Sequence, residues 1–333
     1  MASPEPPEPP FFERSLSAWV LSRYGDVTEA LREPRLVPVS GRFSSGSGGA
    51  AVPIDAALHA QFRAEAFRVL APARLRAWEE QFGAMAHRMV RMLPIERPVD
   101  LLSGFFKPWS LEVAALAAEV PAEESERLAD LASAVFDAAA EPYDAALEEP
   151  CREATQQLAG FFRNAPALHT QMFIALAHSL PAFLGNAWLA LFEYPAQLAR
   201  LRREPALLPR AVEELLRFAG PARAQFRQAI GEVTIGGCEI HSQEKVILWL
   251  ERANRDPERF DHPNELDFDR RSGEHLAFGG GIHACVAGTL IRSAAAVATQ
   301  ALLANFGALE ACAAAPAERW AIRYLTSLIV TAG

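Results

Sequence analysis

Apolar residues recur at three-and-four spacing over six stretches: Leu75–Met92, Ala122–Ala140, Glu153–Asn164, Ala167–Phe192, Pro205–Phe218 and Val286–Phe306. That period stacks the apolar positions on one face and predicts helices packed on a core. Period-two or short apolar runs are few, at Ala18–Leu21, Glu232–Ile235 closed by Gly236-Gly237, Lys245–Trp249 and Ala321–Val330, and these read as strands. The expected fold is therefore mainly α with a minor β part. No internal repeat or long charged linker divides the chain, so a single domain is expected over residues 11–333. It follows a proline-rich, acidic segment at 1–10 that reads as a disordered tail. Two stretches lack either period. Residues 40–49 are Gly/Ser-rich and read as an entrance for substrate, and residues 252–274 read as a polar meander.

Half of the 333 residues are apolar and 22% are charged, which suits one sizeable core. The net charge is −9, and only Lys107 and Lys245 are lysines. No basic stripe exists to track phosphates, so nucleic acid is not an expected partner. The first residues have neither the basic start nor the apolar run of a signal peptide. No stretch reads as the roughly 20 uninterrupted apolar residues that span a bilayer, and the expected location is the cytoplasm. The four cysteines, Cys151, Cys238, Cys285 and Cys312, form no CxxC pair, which disfavours a disulfide framework or a zinc site. Cys151, Cys238 and Cys312 read as small apolar residues.

Cys285 differs in its setting. The run Phe278-Gly-Gly-Gly-Ile-His-Ala-Cys285 precedes the helix that begins at Val286. Its glycines permit positive φ and close approach to a flat ligand, and a helix start favours a thiolate. The same residues alone also describe a Gly-rich turn with an incidental cysteine. Upstream, Glu214 and Arg217 stand three apart, on one helical face, as a surface ion pair or as something buried.

Taken in order, these signals resemble the cytochrome P450 superfamily, whose cysteine loop reads Phe-Gly-x-Gly-x-His-x-Cys-x-Gly. Phe278, Gly279, Gly281, His283 and Cys285 match it, while Ala287 stands where the final glycine is expected. Glu214-Leu-Leu-Arg217 is similar to the family's ExxR element. It is followed by Ala253–Phe260, Pro263 and Leu266–Arg270, the family's order of elements. The resemblance runs from Trp19 to the C-terminal strands. It implies a cytochrome P450 fold, haem b as cofactor and Cys285 as its metal ligand. It also implies a structural triad of Glu214, Arg217 and Arg270. His59 and Arg63, four apart in Leu58–Arg63, and Arg227 in Gln225–Ala229 would contact the haem propionates together with His283.

The sequence departs from the family where a central helix normally carries Ala-Gly-x-Asp/Glu-Thr. Anchored on Gly185-Asn186 and Tyr194-Pro195, the matching stretch is Ala175-Leu-Ala-His178-Ser179. His178 and Ser179 would handle protons there, or are satisfied core groups. Pro181 is expected to break the helical ladder. Residues 157–166 join two helices almost directly, as though a helix and loop were lost. By position, Ala175, Ala222, Arg223, Gln225 and the turn Tyr324–Ser327 would contact substrate. Arg223 would bind a substrate carboxylate, or is a solvated loop arginine.

The resemblance thus implies a haem-thiolate monooxygenase. It would oxidise a small organic substrate with dioxygen and electrons from a ferredoxin- or flavodoxin-type partner, in secondary metabolism. Because the acid-threonine pair is replaced by His178-Ser179, the alternative is a peroxide-using or redox-partner-independent haem enzyme: a peroxygenase, dehydratase or isomerase. A catalytically silent binding module is a third reading, against which the intact cysteine stands.

Overall fold

A computed structural model describes residues 5–39, 56–94, 96–162, 166–270, 274–317 and 319–332. The Gly/Ser-rich stretch expected at a substrate entrance, residues 40–49, lies outside them. Helices dominate: Tyr24–Arg32, Ala56–Val69, Pro72–Val90, Lys107–Ala117, Ala122–Ala140, Glu148–Phe161, Pro166–Glu193, Pro195–Arg203, Leu208–Ala219 and Gly288–Asn305. Around the central helix Pro166–Glu193 lies one large core in which Phe82, Phe105, Phe106, Trp109, Phe173 and Trp188 are fully buried.

The central helix is apolar nearly all round because neighbours cover it nearly all round. It is long and apolar enough to cross a membrane, a property the sequence reading did not find, but 72% of its most apolar window is buried inside the protein. A core helix passes the same length test, so this feature needs no bilayer.

Pro181 acts as expected on the ladder, in a specific way. Residues Ala175–Ser179 form a π-helical turn in which the Leu180 amide donates to the Ala175 carbonyl, five residues back. The wider turn falls just before the proline that cannot donate, and the helix continues to Glu193. The same device appears at Leu102–Phe106, where the Lys107 amide reaches Leu102 and Pro108 follows. Helix Lys107–Ala117 packs directly against the Ala175–Ser179 turn.

The β part is a five-stranded sheet in the order Phe11–Glu13, Ala18–Leu21, Lys245–Leu248, Gln225–Ala229, Leu36–Pro38. Ala18–Leu21 runs parallel to Lys245–Leu248, and the other neighbours are antiparallel. The strand read at Glu232–Ile235 is observed at Val233–Ile235 and pairs with Cys238–Ile240, which the sequence did not mark, in a hairpin with Gly236 and Gly237 at φ of 58° and 81°. Val99–Asp100, Leu325–Ala332 and Leu309–Pro316 make a third sheet.

The segment read as a disordered tail is placed from Glu5 onward and touches the fold. Pro10 is buried, the Glu8 amide donates to Ser22 Oγ at 2.7 Å, and Glu5 pairs with Arg252.

Candidate active site

The ground on which the site rests is a buried ion network. Leu208–Ala219 carries Glu214 and Arg217 on its inner face, and both are buried. Arg217 donates from Nε and Nη2 to the two Glu214 carboxylate oxygens at 2.8 Å each. Its remaining donors reach the carbonyls of Asn254 (2.8 Å), Pro263 (2.8 Å) and Glu265 (3.0 Å). Arg270 Nε adds a bond to Glu214 at 3.1 Å, and the Asp267 amide another at 3.1 Å. The structure thus brings Glu214, Arg217 and Arg270 together. One planar guanidinium ties a helix to the otherwise irregular meander.

The meander leads to the cysteine loop. Gly279 and Gly281 adopt φ of 67° and 64°, as the sequence predicts for that run, whereas Gly280 is extended. A Cβ on Gly281 would lie 2.3 Å from the Leu31 carbonyl oxygen, and one on Gly279 2.8 Å from Gln225 Nε2. Gly281 therefore needs glycine on both conformational and steric grounds, and Gly279 on conformational grounds, since the Gln225 amide can move aside. The loop is closed by the Cys285 amide donating to the Phe278 carbonyl at 2.9 Å.

The following helix begins at Gly288, two residues later than the periodicity predicts, with Ala287 as its N-cap. Ala287 has φ −80°, which an alanine adopts freely, and is buried. Its methyl is accommodated where the family pattern has glycine. Gly288 holds the tighter place, since a Cβ there would be 3.1 Å from Arg292 Nη1 and 3.5 Å from Phe278.

Cys285 keeps exposed surface, yet burial pushes its thiol pKa up, while amides of Ala287 and Gly288 and the charges of Arg292 and Arg63 pull it down. The two observations describe a thiol recessed in the fold and open on one side. Burial outweighs the helix start, which corrects the expectation that the helix alone would lower this pKa. A coordinated metal ion removes the proton regardless.

Around the loop stand four basic groups. His59 and Arg63 lie on Ala56–Val69, four residues apart. His59 meets the His283 ring at a centroid distance of 5.3 Å, and Arg63 Nη1 donates to the Ala284 carbonyl at 2.8 Å. Arg227, on strand Gln225–Ala229, is 5% exposed. It donates to its neighbour's carbonyl at Phe226 and to Gln225 Oε1, both at 2.9 Å. Burial pushes Arg227 down to about 10. His283 is pushed down to about 4 by burial and then by the charges of Arg227, His59 and Arg63. Among the described residues no carboxylate pairs with His59, Arg63, Arg227 or His283. A basic cluster, with Arg227 buried and His59, Arg63 and His283 half-buried, that has no carboxylate partner among the described residues suits a ligand that brings carboxylates.

The distal candidates are placed elsewhere. Ala175 opens the π-helical turn, and His178 stacks on Phe136 with ring centroids 5.5 Å apart. His178 Nε2 lies 3.0 Å from the Ala129 carbonyl, so it carries the proton and donates it across to Ala122–Ala140. Burial lowers its pKa. Ser179 is half-buried on the same turn.

Arg223 does not fit the role of a free carboxylate receptor. Its Nε is bound to Glu251 at 2.8 Å and its Nη1 to the carbonyls of Arg319 and Trp320. Ala222 bridges to Ile322. Gln225 spends its oxygen on Arg227 and lies against Gly279, so it belongs with the basic cluster. Sequence reasoning missed Glu251, which also holds Arg323 at 2.9 Å, and the group Glu213, His275 and Arg292 described below. Their partners are tens of residues apart, and no local spacing marks them.

Comparison with known proteins bears on this arrangement. A sequence profile of the family described as Cytochrome P450 matches residues 200–312, the stretch holding the ion network and the cysteine loop. A putative cytochrome P450, YjiB of Bacillus subtilis, is 27% identical over 97% of this chain and 90% of its own length. Nocardicin C N-oxygenase of Nocardia uniformis is 28% identical over 88% of this chain and 83% of its own. Among solved structures, P450BioI in complex with an acyl carrier protein bearing hexadec-9Z-enoic acid superposes with a TM-score of 0.87. It covers 98% of this chain and 96% of that one at 24% identity.

Proposed function

Since the chain belongs to the cytochrome P450 superfamily and is a haem monooxygenase, we propose that Cys285 is the axial thiolate of a haem b. His59, Arg63, Arg227 and His283 would hold its propionates. The observation that carries this reading is the basic cluster of buried Arg227 and half-buried His59, Arg63 and His283, without a carboxylate partner among the described residues, gathered around the loop that presents the Cys285 thiol. The bound group would supply oxygen activation, with the thiolate donating electron density toward the iron.

The chain's own contributions follow from position. Gly279 and Gly281 let the loop backbone pass close to Gln225 and Leu31, which fixes the height of the thiol. Arg63 bonds the Ala284 carbonyl and so ties the Ala56–Val69 helix to the loop on one side. On the central helix, His178 commits Nε2–H to Ala129, which leaves Nδ1 as the nitrogen that can accept a proton, and Ser179 follows it on the same turn. We place proton handling on these two residues, and substrate along Ala175, Ala222 and the Tyr324–Ser327 turn. The substrate is a small organic molecule of secondary metabolism, electrons come from a ferredoxin- or flavodoxin-type protein, and the location is the cytoplasm.

One observation favours a second reading. The residue standing for the acid of the usual acid-threonine pair is a histidine with lowered pKa that spends a ring nitrogen on a backbone carbonyl. Such a group is a weaker proton donor than a carboxylic acid at neutral pH. That favours use of peroxide, which arrives with its protons and electrons. Parallel turnover assays with reduced ferredoxin plus dioxygen and with hydrogen peroxide separate the two. Product from the reduced partner supports the monooxygenase reading, and product from peroxide alone replaces it with a peroxygenase.

A further inference from the structure

Glu213 and Glu214 are adjacent on one helix, and their side chains leave it about 100° apart. Glu214 enters the ion network. Glu213 turns to Gly288–Asn305, where Arg292 Nε bonds its Oε1 and Arg292 Nη2 its Oε2 at 3.2 Å. His275 completes the grip. Its Nδ1 accepts the Ala277 amide at 3.2 Å, so Nε2 carries the proton and donates to Glu213 Oε2 at 3.2 Å. Burial works to raise the Glu213 pKa, but the bonds from His275 and Arg292 outweigh it and hold it at about 2.

The held guanidinium has a defined target. Its carbon stands 4.5 Å from the centre of the Phe278 ring, and Nη1, the nitrogen not engaged by Glu213, faces Gly288. Phe278 is the residue whose carbonyl accepts the Cys285 amide, and Gly288 is the first residue of the helix that follows the loop. Arg292 is therefore a cation held against the helix start and Phe278, beside the cysteine loop, and it is kept there by a bidentate clasp. Without the clasp, a side chain that is 36% exposed would extend into water.

We propose that Glu213 is a positioning residue that fixes Arg292 beside the cysteine loop, where the guanidinium charge raises the reduction potential of the haem. This rests on the assignment of Cys285 as ligand. Reduction adds one negative charge to the site, and a fixed cation beside the loop stabilises the reduced state. Because Arg292 is part-exposed, solvent screens the effect to roughly a three- to tenfold change in the reduced-to-oxidised ratio. A tenfold change corresponds to 59 mV for a one-electron couple.

The test is a spectroelectrochemical titration of the haem-loaded wild type, Arg292→Gln, Arg292→Lys, Glu213→Gln and the double variant Glu213→Gln/Arg292→Gln. The reduced, carbon monoxide-bound spectrum is taken for each. Arg292→Gln and Glu213→Gln are both expected to lower the potential, the double variant no further than Arg292→Gln, and Arg292→Lys to keep part of it. A rise in Glu213→Gln would mean that only its own negative charge was felt, and would overturn the positioning role. An unchanged potential in Arg292→Gln would overturn the inference outright. A wild-type spectrum without the thiolate band fails the ligand assignment instead, and is recognisable before any variant is measured.

Discussion

Replacing Glu214 by glutamine removes one charge and almost no volume, so its effect isolates the electrostatic worth of the buried network. The Glu214 carboxylate receives four donors: two from Arg217, one from Arg270 and the Asp267 amide. The guanidinium side chains are 2% and 11% exposed. Without the carboxylate, two cations remain together in a site with little water. Breaking such a buried pair costs about 3–5 kcal/mol. Glutamine keeps one acceptor oxygen, which places the expected loss near the lower end, at about 3 kcal/mol. For a chain of this size each kcal/mol shifts Tm by roughly 2 °C, so a fall of about 6 °C is expected. Thermal unfolding followed by circular dichroism reads it directly. Glu149→Gln is the control, because its pair with Arg152 is more than half exposed on both sides, and no measurable change is expected there. A Glu214→Gln protein melting within a degree of wild type would refute the reasoning. The network would then be ornament on a fold held by its apolar core.

Two further outcomes follow. Gly281→Ala should lose most bound haem, since the new Cβ would meet the Leu31 carbonyl at 2.3 Å in a positive-φ backbone, whereas Gly280→Ala, extended and 3.3 Å from a flexible leucine tip, should retain most of it; equal haem content in the two variants would contradict this. Burial holds the His178 pKa below its ordinary value, so the unfolded chain takes up a proton before the folded one and stability falls as pH drops below about 6.5. His178→Gln should therefore lose less stability than wild type as pH drops below about 6.5 in urea titrations, and an identical slope would remove His178 as the cause.

The parts of the site that sequence made legible share a physical trait: their spacing is local or their chemistry is unusual. Glu214 and Arg217 are one helical turn apart, His59 and Arg63 likewise, and Gly279 and Gly281 sit where only glycine satisfies the backbone. The expected helix at Ala122–Ala140 has the observed bounds because its apolar face is regular. Helices Tyr24–Arg32 and Lys107–Ala117 escaped the periodicity. The first is only nine residues long, and the second buries one face but also carries apolar Leu111, Ala115 and Leu116 on its half-buried side, so no stripe stands out. The fate of Arg223 was not legible either, because Glu251 becomes its partner only when strand Gln225–Ala229 pairs with Lys245–Leu248 and brings the chain back. The same holds for His178, whose partner is a backbone carbonyl 49 residues away that no side-chain pattern could announce.

The central claim is that Cys285 ligates the haem iron from a loop built to present it. The reduced, carbon monoxide-bound absorption spectrum of haem-supplemented wild type beside Cys285→Ser tests it most directly. The account predicts a thiolate-type band in the wild type and its loss in Cys285→Ser. A thiolate band that survives the substitution, or a wild-type protein that takes up haem without showing one, would contradict it.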